Sequence, residues 1–208
     1  MNFDYIFFDF NGTILDDVDL CLNLLNEMLE EKRLKKIDKE RYREIFTFPI
    51  VDYYRAAGFD FTKYSFDELA LRFIEEYQPA SLKCPMYPHL IALLKRWRSE
   101  GKHLFVLSAS EIHNLKEQLD HFGIAGYFDE ILATSDIYAS GKKQIAADFL
   151  FKERIPPERC LFIGDTLHDF QIADSLHCAS VLVDFGHQSR ERLLSTGSRV
   201  IASYEELL

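Results

Sequence analysis

The sequence predicts an α/β protein in which a mostly parallel sheet is covered by helices on both faces and a helical segment is inserted after the first strand. Three observations lead there. Short, apolar, β-rich runs recur along the 208 residues with helical segments between them, the alternation expected of parallel strands joined by crossover helices. The alternation is interrupted once, from about residue 17 to residue 83, by a stretch with helical spacing and no convincing strand. Polar and acidic residues follow several of the strand-like runs directly, and the carboxyl edge of such a sheet is where open α/β folds place their chemistry.

The elements can be justified in order. Asp4–Phe8 reads as the first strand and runs into Asp9-Phe10-Asn11-Gly12-Thr13. Within the interruption, Val18, Cys21, Leu24, Leu25, Met28 and Leu29 recur at helical spacing, and Tyr42, Ile45 and Phe46 continue the pattern. Ile50 to Ala57 reads as a helix closed by Gly58. Ser65 with Glu68 three residues on is a capping-box signature; it opens a helix over Phe66–Tyr77, which Pro79 is expected to end. The return segment Cys84-Pro85-Met86-Tyr87-Pro88 reads as a hinge. The expected division is therefore a core of residues 1–16 and 84–208 and a helical cap of residues 17–83. Such a cap over the sheet edge excludes water and selects substrates; the alternative is an ordinary extra helical layer. Beyond it, Pro88–Glu100 is a helix stopped by Gly101, His103–Leu107 a strand, and Glu111–Phe122 a helix stopped by Gly123. Glu130–Leu132, Cys160–Ile163 and Ser180–Val183 are strands, with helices over Lys142–Lys152 and Phe170–His177 between them.

Composition narrows the function. An apolar fraction of 48% with 18 Phe supplies a core for one globular domain, or a core plus an insertion. The 24 basic and 34 acidic residues give a net charge of −10, which disfavours nucleic acid as a partner. An acidic protein still binds a phosphorylated metabolite when a metal ion and a few local donors offset the charge. Cys21, Cys84, Cys160 and Cys178 form no CxxC pair, so neither zinc nor thiol-redox chemistry is indicated; they read as free thiols in a reducing cytosol. The amino-terminal apolar run is broken by Asp4 and Asp9 and lacks a basic region, unlike a signal peptide. No stretch approaches the roughly 20 apolar residues of a membrane span. The expectation is a cytoplasmic monomer or homodimer with no nucleic-acid or membrane partner.

Four features just beyond strand ends carry the chemistry: Asp9 to Thr13, Ser108, Gly141-Lys142-Lys143 opening a helix, and Gly164-Asp165-Thr166-Leu167-His168-Asp169. Phosphoryl transfer needs a positioned phosphoryl group, neutralised charge and an aligned nucleophile. Asp9 can be that nucleophile. Asp9 and Asp165 offer carboxylates, and the Asn11 backbone carbonyl a further oxygen, to Mg²⁺, which prefers oxygen ligands; Asp169 can hold the metal or one of its waters. The Ser108 hydroxyl and nearby backbone N–H groups can cradle phosphate. Lys142 adds a cation at a helix N-terminus, itself anion-preferring.

In this order, the motifs resemble those of the haloacid dehalogenase-like (HAD) hydrolase superfamily, and the resemblance covers essentially the whole chain. Phe122-Gly123-Ile124-Ala125-Gly126-Tyr127-Phe128-Asp129 looks like the segment before the third strand in the phosphoglycolate-phosphatase-like branch, which also carries a helical cap after its first motif. The resemblance implies a Rossmannoid three-layer core with an inserted helical cap. It implies Asp9 as catalytic nucleophile, with Asn11, Gly12, Ser108, Ala109 and Lys142 around the phosphate, and Mg²⁺ held by Asp9, Asn11, Asp165 and Asp169. Lys143 is the fallback for Lys142, because the proline that often follows the family lysine is missing.

One residue departs from the family. Asn11 stands where an Asp usually serves as acid and base. A carboxamide donates a hydrogen bond but has no proton to shuttle, and general acid–base help is worth about 10²–10⁴-fold. The loss weighs most on alkyl phosphates and least on acyl or aryl phosphates, whose leaving oxygens need little protonation. His113 and His168 are candidate surrogates. Thr47, Phe48, Pro49 and Arg55 are candidates for substrate contact from the cap. The expected function is an Mg²⁺-dependent phosphatase acting on a small phosphorylated metabolite through an aspartyl phosphate. A weakly active or inactive phosphate-binding regulatory protein, and a phosphotransferase or phosphomutase, are the alternatives.

Overall fold

A computed structural model describes residues 3–134 and 141–208. Strand β1 (Tyr5–Phe8) is followed by helices α1 (Val18–Glu31), α2 (Lys39–Ile45), α3 (Ile50–Ala57), α4 (Phe66–Ser81) and α5 (Leu90–Ser99). The chain then alternates through β2 (His103–Glu111), α6 (Ile112–His121), β3 (Glu130–Thr134), α7 (Lys142–Glu153), β4 (Cys160–Gly164), α8 (Leu167–Ser175), β5 (Ala179–Val183), α9 (Arg190–Leu194) and β6 (Arg199–Ile201). The strands form one sheet in the order β3-β2-β1-β4-β5-β6, and every pairing is parallel. This is the α/β architecture that the alternation predicts.

Strand alternation decides which side chain meets which helix layer. Ile6 and Phe8 point to the face covered by α5 and α6, where Leu90, Leu94, Trp97, Leu115 and Leu119 complete a buried cluster. Phe7 points to the other face, against Ala146 and Leu150 of α7 and Ile172 and Ala173 of α8. There the ring of Phe7 stacks on Phe105 at 4.8 Å and on Phe162 at 4.7 Å, making an aromatic row across β2, β1 and β4.

Helices α1 to α4 pack around a cluster of their own, formed by Leu25, Met28, Leu29, Tyr42, Tyr53, Phe59 and neighbours. The chain leaves for and returns from this helical layer side by side: Asp16 N–H donates to the Pro85 carbonyl at 2.9 Å and Tyr87 N–H to Ile14 at 3.1 Å. Among the described residues, no helix is long and apolar enough to cross a membrane.

The structure corrects several boundaries. Helix α4 does not end before Pro79 but runs through it to Ser81. Pro79 and Glu75, the residue four positions before it, are both exposed, so the carbonyl that loses its helical donor faces water. The opposite side of that turn is anchored: buried Ser81 donates to the Gln78 carbonyl at 2.7 Å and accepts from Gln118 at 2.7 Å. Strand β2 runs past Leu107 to Glu111, with a register shift between Ser108 and Glu111. Helix α8 starts at Leu167, not Phe170, because Thr166 and Asp169 form a reciprocal capping box. Strand β6 lacks a sequence signal; three residues are too few to show a period.

Candidate active site

The strand order reverses direction between β1 and β4, the topological switch point at which such sheets open a crevice. Asp9 directly follows β1 and Asp165 directly follows β4; Asp9 N–H donates to the Ile163 carbonyl at 2.8 Å, tying the two strand ends together. Gly12 has φ +67°, and a side chain there would run into Asp165 and His187. The turn after β1 therefore needs glycine both for its backbone and for the closeness of its neighbours.

Asp9, Asp165 and Asp169 offer carboxylate oxygens within 4.8 Å of one another. Asp169 is brought there by the first turn of α8, where its Oδ2 accepts from Thr166 N–H and from the Thr166 hydroxyl. Lys142, the first residue of α7, reaches in from the opposite side. Its Nζ lies 2.7 Å from Asp9 Oδ1 and 2.6 Å from Asp169 Oδ1, with the lysine side chain only 4% exposed. Lys143 is exposed, so Lys142 alone of the pair enters the site.

The electrostatics show a surplus of negative charge. Burial raises the Asp9 carboxyl to about 7; Lys142 opposes this, and Asp169 and Asp165 add to it. Burial likewise raises Asp165 to about 6, against the pull of nearby His187. Asp169 stays below the ordinary range: its burial is outweighed by Lys142 and by the Thr166 hydrogen bond. Lys142 is held in its charged form, since Asp169 and Asp9 outweigh the cost of burying it. Three carboxylates short of positive charge, two of them buried, match what a hard divalent cation takes as ligands.

Asn11 is locked in place. Its carbonyl accepts from the Ser110 hydroxyl at 2.9 Å, and its amide donates to Asp17 Oδ2 at 3.0 Å and to the Tyr77 hydroxyl at 2.5 Å. Tyr77, from α4, in turn donates to Asp17 at 2.6 Å. Asp17 is fully buried. Its other oxygen accepts from Gly12 N–H at 2.8 Å and lies 3.3 Å from His187 Nε2. His187 N–H donates to Asp165 Oδ2 at 2.6 Å, and its Nδ1 lies 2.7 Å from the Tyr42 hydroxyl. Burial works against the charged imidazole, but Asp17 beside it prevails and pushes His187 up to about 9.

The sequence reading misses Asp17 and His187. Asp17 carries a signal, a second acidic residue directly after the first motif, but its position also marks the start of the insertion. His187 follows β5 as the other site residues follow their strands, within Asp184-Phe185-Gly186-His187-Gln188.

A cavity of about 190 Å³ lies between the sheet edge and the helical layer. Asp9, Asn11, Ser108, Ala109, Lys142, Asp165 and Asp169 all line it, so the structure brings nearly all the expected site residues together. Ser108 and Ala109 arrive on the irregular end of β2, where the Ser108 hydroxyl accepts from Ser110 N–H at 3.1 Å and Thr134 donates to the Ala109 carbonyl at 3.1 Å. Gly12 is the exception: it does not line the cavity and gives its N–H to Asp17. The candidate histidines part company. His113 is 90% exposed in its side chain, whereas the His168 ring packs 4.9 Å from Phe48. Phe48 lines the cavity, following half-buried Thr47 and joined to exposed Pro49 by a cis peptide bond. Arg55 points outward to Asp52.

Residues 6–183 match the haloacid dehalogenase-like hydrolase family. The chain belongs to this family. It is similar to a phosphoglycolate phosphatase of Synechococcus elongatus, 22% identical over 91% of this chain and 88% of that one. Among solved structures, a predicted phosphatase from Clostridium acetobutylicum superposes with a TM-score of 0.82 at 22% identity, covering 100% of this chain and 97% of that one. An aspartate-to-asparagine variant of CbbY from Rhodobacter sphaeroides, in complex with xylulose-(1,5)bisphosphate, superposes with a TM-score of 0.75 at 21% identity over 99% and 96% of the two chains.

Proposed function

We propose that this hydrolase is an Mg²⁺-dependent phosphatase that cleaves a small phosphorylated metabolite through an aspartyl phosphate on Asp9. The observation that carries this reading is the setting of Asp9 itself: a strand-end carboxylate, 13% exposed in its side chain and facing the cavity, braced by Lys142 and adjoining two further carboxylates. Asp9, Asp165 and the Asn11 backbone carbonyl would hold the cation, with Asp169 in support through Lys142. When bound, the cation neutralises phosphate oxygens and favours the ionised form of Asp9.

Asp9 Oδ attacks phosphorus as the bond to the leaving oxygen breaks. Lys142 holds charge on the phosphoryl oxygens, and the Ser108 hydroxyl and Ala109 backbone N–H orient them. Asn11 contributes a fixed amide dipole but no proton. Water then attacks phosphorus, releasing phosphate and regenerating Asp9. Helices α1 to α4, residues 17–83, act as the cap that excludes bulk water and selects the leaving group. The four free thiols support a reducing, cytoplasmic setting.

A second reading, a phosphate-binding regulatory protein with negligible turnover, is favoured by Asn11 alone, whose carboxamide is fully engaged with Asp17, Tyr77 and Ser110. Beryllofluoride with Mg²⁺ tests the site. It mimics an aspartyl phosphate and should raise the melting temperature by mass action. The rise should vanish in Asp9→Ala and shrink in Asp165→Asn. A rise that survives Asp9→Ala argues against the proposal.

A further inference from the structure

Resting on the phosphatase reading, we propose that the substrate's leaving group is an uncharged aromatic alcohol, so that this site takes aryl phosphates in preference to phosphorylated carboxylates or sugars. The walls that α2, α3 and α4 and their connections present to the cavity are aromatic: Phe46, Phe48, Tyr53, Phe66, Phe73 and Tyr77. Rings of this kind favour a flat apolar guest through stacked and edge-on contacts. The size agrees, since an apolar cavity of about 150 Å³ already admits benzene.

Charge excludes the obvious alternative. A leaving group carrying a carboxylate needs a cationic partner, because an unpaired charge in a buried site is costly. Lys142 is the one Lys or Arg lining the cavity among the described residues, and Asp9, Asp169 and the phosphoryl group already claim it. The ring nitrogens of His187 are taken by Asp17 and Tyr42. None of the arginines of the helical layer lines the cavity: Arg41 turns to Glu44, Arg43 to the Phe185 carbonyl, Arg55 to Asp52 and Arg72 to Glu31. Residues 135–140 contain no Lys or Arg. Glu111 on the cavity lining would further repel a carboxylate.

Asn11 points the same way by independent chemistry. With no carboxyl at that position to protonate the leaving oxygen, the reaction favours a leaving group that departs as a stable anion. A phenol, with a pKa of about 10, does so far more readily than an aliphatic alcohol.

Binding of non-hydrolysable probes decides the matter. Calorimetry with Mg²⁺ present should show phenylphosphonate binding at least about tenfold more tightly than phosphonoacetate, the scale of one good aromatic contact. Phenyl phosphate should exceed phosphoglycolate in kcat/KM by a similar factor or more. Phe73→Arg, which brings a guanidinium to the cavity, should narrow or reverse both preferences, and Phe48→Ala should weaken phenylphosphonate alone. Melting curves establish that each variant is folded, and the parent protein's two affinities suffice if neither variant is. Equal affinities, or tighter phosphonoacetate, would overturn the aryl assignment. Acetyl phosphate, which needs no aromatic pocket, separates the two failures. Its Asp9-dependent hydrolysis without aryl preference sinks this inference and leaves the phosphatase reading standing.

Discussion

At the scale of single residues, the departure at Asn11 is inseparable from Asp17. The amide and the carboxylate form a donor–acceptor pair 3.0 Å apart, so restoring an acid at position 11 sets two carboxylates against each other. Such a pair cannot be fully ionised in a buried site. We therefore expect Asn11→Asp alone to lower stability and to gain little on alkyl phosphates. The double variant Asn11→Asp with Asp17→Asn restores the pairing between the two positions while giving up the Asp17–His187 ion pair; it should raise alkyl-phosphate turnover by about 10²-fold, the low end of acid–base assistance. Steady-state rates of the four proteins of this cycle check the coupling, and a single variant as fast as the double would show that Asp17 is no obstacle.

His187 gives a second residue-scale expectation. Its native value of about 9 lies above the roughly 6.5 of an unfolded chain, so the native state binds the proton more tightly. The stability that this contributes is fully present below about pH 6.5 and is lost as pH rises through 9. Asp9, raised to about 7, adds a decline of the same sign at lower pH, so the window from about pH 7 to pH 9 reports mainly on His187. Urea denaturation of the metal-free protein should show falling stability across it, and His187→Gln should flatten the slope. An unchanged slope in the variant would detach the effect from the Asp17 pair.

Elements explain why the site forms where it does, and how far it was legible. Strands β1, β2 and β4 announce themselves by apolar runs followed at once by polar residues, so the positions of Asp9, Ser108 and Asp165 could be read from local pattern. The span of α4 could not, because Pro79 is tolerated only through an exposed outer turn and the buried Ser81–Gln118 contact, a feature of tertiary structure. Nor could Asp17 and His187, whose meaning lies in a contact across 170 residues of chain. The aromatic row on β2, β1 and β4 holds the strand ends in register beneath the site. Phe7→Ala removes its centre and should cost about 3–5 kcal/mol, as large-to-small core changes do. Denaturant titration should show that loss; one below about 1 kcal/mol would mean that the row repacks.

For the whole molecule, the −10 charge and the proposed phosphate site are compatible because the demand for positive charge is local. Lys142 meets part of it and the proposed Mg²⁺ the rest, while the helical layer closes the opposite side with aromatic surface in place of further cations. That division of labour depends on Asp9 acting as nucleophile, and the most direct test is to find the phosphoryl group. Brief exposure to acetyl phosphate and Mg²⁺, acid quenching and peptide mass spectrometry should reveal one phosphoryl mass on Asp9, trapped more readily because Asn11 cannot activate the hydrolytic water. Label that is absent, that lies on another residue, or that persists unchanged in Asp9→Ala would contradict the account.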